Sequence, residues 1–168
     1  MGETVNISES VENYLETILA LETDNKVARA KDIAERLGVQ KGSVSGALRI
    51  LKEKGLINYK PYSFITLTAK GKKIAKSVLR RHLILKDFLE NVLQISDQKA
   101  ENAACRMEHA IDEETLERLL AFIDYIKTCP RAGDNWLASF VNYYKTHRHD
   151  PEKCNKCINE LTQLDLSS

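Results

Sequence analysis

Apolar residues recur every three or four positions through the first third of the chain, and polar breaks punctuate the recurrence. Val11, Tyr14, Leu15, Ile18, Leu19 and Leu21 form one helical stripe, with Ser8 or Ser10 placed to cap it and Asp24-Asn25-Lys26 to end it. A short second helix is predicted over Ala30–Leu37, closed by Gly38. A third runs from Gln40 to Lys54 with Val44, Leu48 and Leu51 inward, and Gly55 ends it. The period then changes from helical to alternating. Leu56–Tyr59 and Phe64–Thr68 flank Lys60-Pro61-Tyr62-Ser63, which predicts a β-hairpin with proline kept in the loop.

Helical spacing returns at Thr68, predicted to cap a long helix to about Asn91 that bears Leu79, Leu83, Leu85 and Leu89. A helix over Asp97–Ile111 follows, then one capped by Asp112 over Glu113–Thr128 with Leu116, Leu119, Leu120, Ile123 and Ile126 as a wide stripe. Cys129-Pro130 stops it. A last, aromatic-rich helix is expected over Asp134–Lys145, core-facing through Trp136, Phe140, Tyr143 and Tyr144. The fold class is therefore mainly α. It comprises an N-terminal winged helix-turn-helix with a small β-hairpin wing (1–70), a second helical domain whose wide stripe suits packing against a partner helix (71–130) and a helical C-terminal extension (131–168).

Charge changes this picture from architecture to partner. The formal net charge of +1 hides an uneven distribution. Between Lys26 and Lys86 stand 16 Lys and Arg against three acids, whereas the rest of the chain holds 9 basic and 21 acidic residues. Such a split points to a polyanion-binding module joined to a domain of another purpose. Arg29, Gln40, Lys41, Ser43, Ser45 and Arg49, with Lys60 and Tyr62 at the wing tip, are side chains that meet phosphates and base edges of double-stranded DNA. No stretch of 18 apolar residues occurs and the start lacks signal-peptide order, so the expected setting is the cytoplasm, with no membrane partner. The four cysteines then serve metals or packing rather than disulfides.

Candidate metal chemistry centres on Cys105-Arg106-Met107-Glu108-His109 and Glu101. On a helix these four donors fall at i, i+4, i+7 and i+8, along one face. Thiolate, carboxylates and imidazole together suit a transition metal better than Mg²⁺ or Ca²⁺. A second set, Cys129, His147, His149, Cys154 and Cys157, has the donor types of a Zn²⁺ site without a standard finger spacing. No nucleophile–base pair or open-site metalloenzyme motif is present, so an enzyme is not expected. An alternative function is a metal-independent winged-helix regulator that senses oxidants through cysteines.

The order of these features resembles the diphtheria toxin repressor and manganese transport regulator family of iron- or manganese-dependent repressors. The matching stretches are Glu12-Asn13-Tyr14-Leu15-Glu16-Thr17-Ile18, Asp32-Ile33-Ala34-Glu35-Arg36-Leu37, Leu67-Thr68-Ala69-Lys70-Gly71, Arg81-His82 and Ala104-Cys105-Arg106-Met107-Glu108-His109. The resemblance implies a homodimer that binds palindromic operator DNA with Fe²⁺ or Mn²⁺ as corepressor; Zn²⁺, Co²⁺ or Ni²⁺ can substitute in vitro. It implies Cys105, Glu108, His109 and His82 as ligands, and Glu16 as the carboxylate of the manganese-sensing branch. Asn13 stands where iron sensors have Met and manganese sensors have Asp. Lys86 stands where members commonly carry a Glu ligand, and Glu101 where iron sensors have a His. Thiolate and imidazole favour Fe²⁺, whereas Glu16, Glu108 and an amide oxygen favour Mn²⁺.

Overall fold

The computed structural model describes residues 7–25, 27–60, 63–128, 133–148, 151–152 and 155. The chain divides into two compact units, Met1–His82 and Leu83–Ser168. In the first, α1 (Glu9–Asn25), α2 (Ala30–Leu37) and α3 (Lys41–Glu53) surround one core, followed by β1 (Ile57–Asn58), β2 (Thr66–Leu67) and the first part of α4 (Ala69–Asp87). The stripes read from the sequence close this core. Leu15, Ile18, Ile33, Val44, Leu48, Leu51, Leu56 and Ile65 are buried together.

Local chemistry sets the turns. Gly38 caps α2 in the left-handed conformation (φ 66°), which a side chain would disfavour. Its N–H and that of Val39 bond back to α2 carbonyls, which leaves only a short turn before α3. The strands pair antiparallel, Ile57 with Leu67 and Asn58 with Thr66, and Ala28 makes an isolated bridge to Ile65. The wing is tied to α1 because Glu22 Oε1 accepts the Leu67 N–H at 2.8 Å. Thr68 caps α4 as expected: its hydroxyl accepts the Gly71 N–H (3.2 Å) and donates to the Gly55 carbonyl (2.8 Å). At Gly71 the helix approaches β1 so closely that a Cβ would run into the Leu56 carbonyl. At α1 the Ser8 carbonyl, rather than either serine hydroxyl, takes up the first N–H groups.

The second unit continues α4 and adds α5 (Asp97–Met107), α6 (Glu113–Thr128) and α7 (Gly133–Thr146). Asp112 caps α6, its carboxylate accepting the Thr115 N–H at 2.9 Å and the Thr115 hydroxyl at 2.7 Å. Those bonds hold the Asp112 carboxyl below the usual carboxylate range. Two departures from expectation stand out. The long helix does not stay α-helical to Asn91: Phe88–Val92 forms a π-turn, with the Leu93 N–H reaching back to Phe88 O, and Gln94 (φ 55°) ends it. The aromatic helix is not core-facing either. Trp136, Tyr143 and Tyr144 are exposed, and only Leu137 packs against the Val92–Ile123–Ile126 cluster. One amphipathic layer of α6 gives α7 too little apolar surface to bury four aromatic rings, so Trp136 and Phe140 stack on each other instead, 6.1 Å apart. Leu79 and Leu83 are likewise exposed in the single chain, whereas Leu85 and Leu89 are buried. No helix among the described residues is long and apolar enough to cross a membrane.

Candidate metal centre and nucleic-acid interface

Within the first unit, α1 and α4 bring the candidate donors together. Asn13 and Glu16 lie three residues apart on α1, both half-buried. A carboxylate oxygen of Glu16 lies within 4.8 Å of an imidazole nitrogen of His82, which is 7% exposed. The neighbouring residues fix this arrangement. Arg81, the residue before His82, donates from Nη2 to Glu12 Oε1 at 2.8 Å, with both side chains about one-seventh exposed. Because Glu12 sits one turn before Glu16 on α1, this ion pair clamps the two helices beside the donors. In the sequence Glu12 and Arg81 stand out only within the family-like stretches. Their pairing had no local signal, since 69 residues separate them.

Within the second unit, the four donors around Cys105 differ in burial. Ala100, Ala104 and Glu108 form the buried stripe of α5 and its end, and Glu108 is 1% exposed. Glu101 and Cys105 lie on the adjoining, more open stripe, with Cys105 exposed. The α-helix ends at Met107, but Glu108 keeps helical dihedrals (φ −60°, ψ −27°) and its N–H still bonds the Ala104 carbonyl at 3.0 Å before the chain turns through Ala110. What the turn does is set two donors side by side: His109 Nε2 lies 3.3 Å from Glu108 Oε1, both side chains nearly excluded from solvent. A carboxylate oxygen of Glu101 and the Cys105 sulfur come within 4.8 Å of each other.

Lys86 intervenes at Glu101. Its ammonium lies 2.9 Å from Asp97 Oδ1 and 2.9 Å from Glu101 Oε2, with Glu90 Oε1 at 3.7 Å. Hydrogen bonds to Asp97 and then Glu101 hold the ammonium above the ordinary lysine range. Asp97 is correspondingly held below its usual range, chiefly by the bond from Lys86. Burial, followed by a hydrogen bond with Asp97, pushes Glu90 up.

The donor chemistry fits a divalent transition ion. The Glu108 carboxylate and the His109 imidazole, nearly excluded from water, with the Cys105 thiol one turn away, are the ligand types such an ion takes. Of the second candidate set, His147 is exposed at the end of α7 beside Tyr143, and Cys129, His149, Cys154 and Cys157 lie outside the described residues.

The candidate DNA face is consistently open. Gln40, Lys41, Ser43, Ser45 and Arg49 are exposed along α3 while Val44, Leu48 and Leu51 hold the helix to the core. Lys60 is exposed at the end of the first wing strand; Tyr62 lies outside the described residues. Arg29 is exposed and its guanidinium lies over the Phe64 ring at 5.2 Å, so the wing presents a pre-positioned cation. Lys70, Lys72, Lys73 and Lys76 extend the basic surface along α4.

Comparison with known proteins covers both parts of the chain. Residues 6–65 match the iron dependent repressor N-terminal DNA binding domain, and residues 68–137 match the iron dependent repressor metal binding and dimerisation domain. An uncharacterised HTH-type transcriptional regulator of Methanocaldococcus jannaschii is 37% identical over 122 residues, covering 72% of this chain and 98% of its own. The HTH-type transcriptional regulator MntR of Bacillus subtilis is 32% identical over 118 residues, covering 70% of this chain and 82% of its own. A solved manganese-dependent transcriptional repressor in complex with manganese superposes with a TM-score of 0.63 at 29% identity, over 68% of this chain and 53% of its own, so the chain spans about half of that structure. This family consists of DNA-binding transcriptional regulators rather than enzymes. The chain belongs to the iron- and manganese-dependent transcriptional repressor family.

Proposed function

We propose that this chain is a cytoplasmic repressor that binds a palindromic operator as a homodimer when Fe²⁺ or Mn²⁺ is bound. The observation that carries the reading is Glu108, a carboxylate 1% exposed beside a nearly buried His109. Burying a carboxylate is costly, and a divalent cation is a partner that makes it favourable. The proposed ligands are Asn13, Glu16 and His82 from the first unit and Cys105, Glu108 and His109 from the second. Glu101 is left out because Lys86 engages it.

When bound, the ion supplies a positive charge shared among donors from both units. Glu16 and His82 belong to the unit that carries the recognition helix α3, and Cys105, Glu108 and His109 to the other. A bound ion would favour the pose that offers it the most donors, by no more than the difference in affinity between poses. In a dimer that pose sets two copies of α3 about 34 Å apart, one turn of DNA. Gln40, Ser43 and Ser45 then face base edges, while Lys41, Arg49, Lys60 and Arg29 meet phosphates. The exposed Leu83, Phe122 and Tyr125 of the second unit support pairing with a second copy.

The test is a binding titration under anaerobic, reducing conditions. Operator DNA selected from random duplexes in the presence of Mn²⁺ is titrated with protein plus Mn²⁺, Fe²⁺ or chelator. Affinity at least tenfold higher with either ion is expected; equal affinity in chelator would sink the proposal.

A further inference from the structure

The ammonium of Lys86 sits where a cation is wanted. It lies on α4 one turn after His82, and its three acidic neighbours come from the π-turn (Glu90) and from the first two turns of α5 (Asp97, Glu101). Glu101 is also the carboxylate whose oxygen lies within 4.8 Å of the Cys105 sulfur. One side chain therefore holds the carboxylate that would otherwise join the Cys105 thiol in binding an ion. Resting on the metal-centre reading above, we propose that Lys86 is a specificity-determining residue of that centre. Its ammonium is a tethered cation that takes Glu101 out of the ligand set and keeps a second divalent ion from binding beside Cys105.

The physical case is one of charge and geometry. Lysine offers three donors at a single point, so one ammonium bonds Asp97 and Glu101 at 2.9 Å and still faces Glu90. A divalent ion at Glu101 would stand within a few ångströms of that fixed positive charge, with the half-buried side chains offering less screening than water. Asp97 and Glu101 lie four apart on α5, and without Lys86 the two like charges repel each other. Removing the lysine thus takes the formal charge of the group from −2 (three carboxylates, one ammonium) to −3, with a thiol one turn along the helix. The ion such a set takes is a divalent transition metal, Co²⁺ or Zn²⁺ more readily than Mg²⁺.

Equilibrium dialysis of the full chain against Co²⁺ under reducing conditions, with bound metal counted per chain, reads this directly. Lys86→Ala and Lys86→Gln are expected to bind one more Co²⁺ than the wild type, with stronger thiolate-to-cobalt absorption. Lys86→Arg, which keeps the cation, is expected to match the wild type. In the wild-type background Glu101→Gln is expected to change the affinity for Mn²⁺ less than twofold, and a tenfold loss would overturn the proposal. Unchanged cobalt counts in both Lys86→Ala and Lys86→Gln, with helical circular dichroism intact, would also overturn it. A wild type that takes up neither Mn²⁺ nor Co²⁺ would instead remove the metal-centre reading beneath it.

Discussion

Exchanging Glu108 for Gln strikes the metal centre at its most buried donor. The amide keeps the shape of the side chain and one acceptor oxygen but removes the charge, so packing around a group 2% exposed is preserved. Without metal, the change weakens the interaction with His109 by about 1 kcal/mol. It also relieves the cost of burying a carboxylate, and these opposing effects leave the metal-free Tm near that of the wild type. With metal the two proteins part. An ion at a hundred times its Kd stabilises the folded wild type by about 2.7 kcal/mol. For a chain of this size each kcal/mol moves Tm by roughly 2–4 °C, so the expected rise is about 5–11 °C. If losing the charged ligand weakens binding by about a hundredfold, the same ion concentration stabilises the variant by only about 0.4 kcal/mol. Its Tm then rises by roughly 1–2 °C. Thermal unfolding followed by circular dichroism, with Mn²⁺ or chelator, gives both numbers. A Glu108→Gln protein whose metal-induced rise equals that of the wild type would show that the carboxylate is not a ligand.

Three further outcomes are expected. Arg49→Ala and Lys60→Ala each remove a phosphate contact, so each should weaken duplex binding and lower the slope of log K against log salt by about 1 in fluorescence anisotropy; an unchanged slope in both would relocate the DNA face. Gly71→Ala drives a methyl group into the Leu56 carbonyl, and chemical denaturation should show a loss of about 1–3 kcal/mol, typical of overpacking. A loss under about 0.5 kcal/mol, the range of ordinary surface changes, would mean that α4 shifts freely at this point. Asp112→Ala should lower Tm near neutral pH by removing the α6 cap. The folded Asp112 carboxyl is held low chiefly by the Thr115 N–H, so its contribution is present above the unfolded-state pKa of about 3.9 and fades as pH falls through the folded value. The Tm gap between wild type and variant should therefore close in acid, and a gap that widens below about pH 4 would contradict the capping role.

Reading order and position out of this sequence worked where the determinants are local. The period of Val44, Leu48 and Leu51, the left-handed glycine after Leu37 and the hydroxyl of Thr68 act within a few residues, so their consequences are visible in a short window. The antiparallel pairing of Ile57 with Leu67 follows from the same kind of evidence. What stayed hidden depended on tertiary partners. Helical spacing put Glu101 and Glu108 on one face, but only packing decides that Glu108 is buried while Glu101 is spent on a lysine fifteen residues earlier. The π-turn at Phe88–Val92 has no proline or glycine to announce it. The aromatic helix misled for a related reason, because amphipathic spacing specifies a face without specifying that the same chain will cover it.

The attachment of the wing to α1 gives that helix a mechanical meaning. Glu16 and Glu22 are six residues apart on one rigid rod, about 9 Å at the helical rise. The middle of the rod faces His82, and its C-terminal part holds the second wing strand through the Leu67 N–H. A force applied at Glu16 is thus delivered to the reading head by displacement of an intact lever, without any strand having to unpair or any helix to refold.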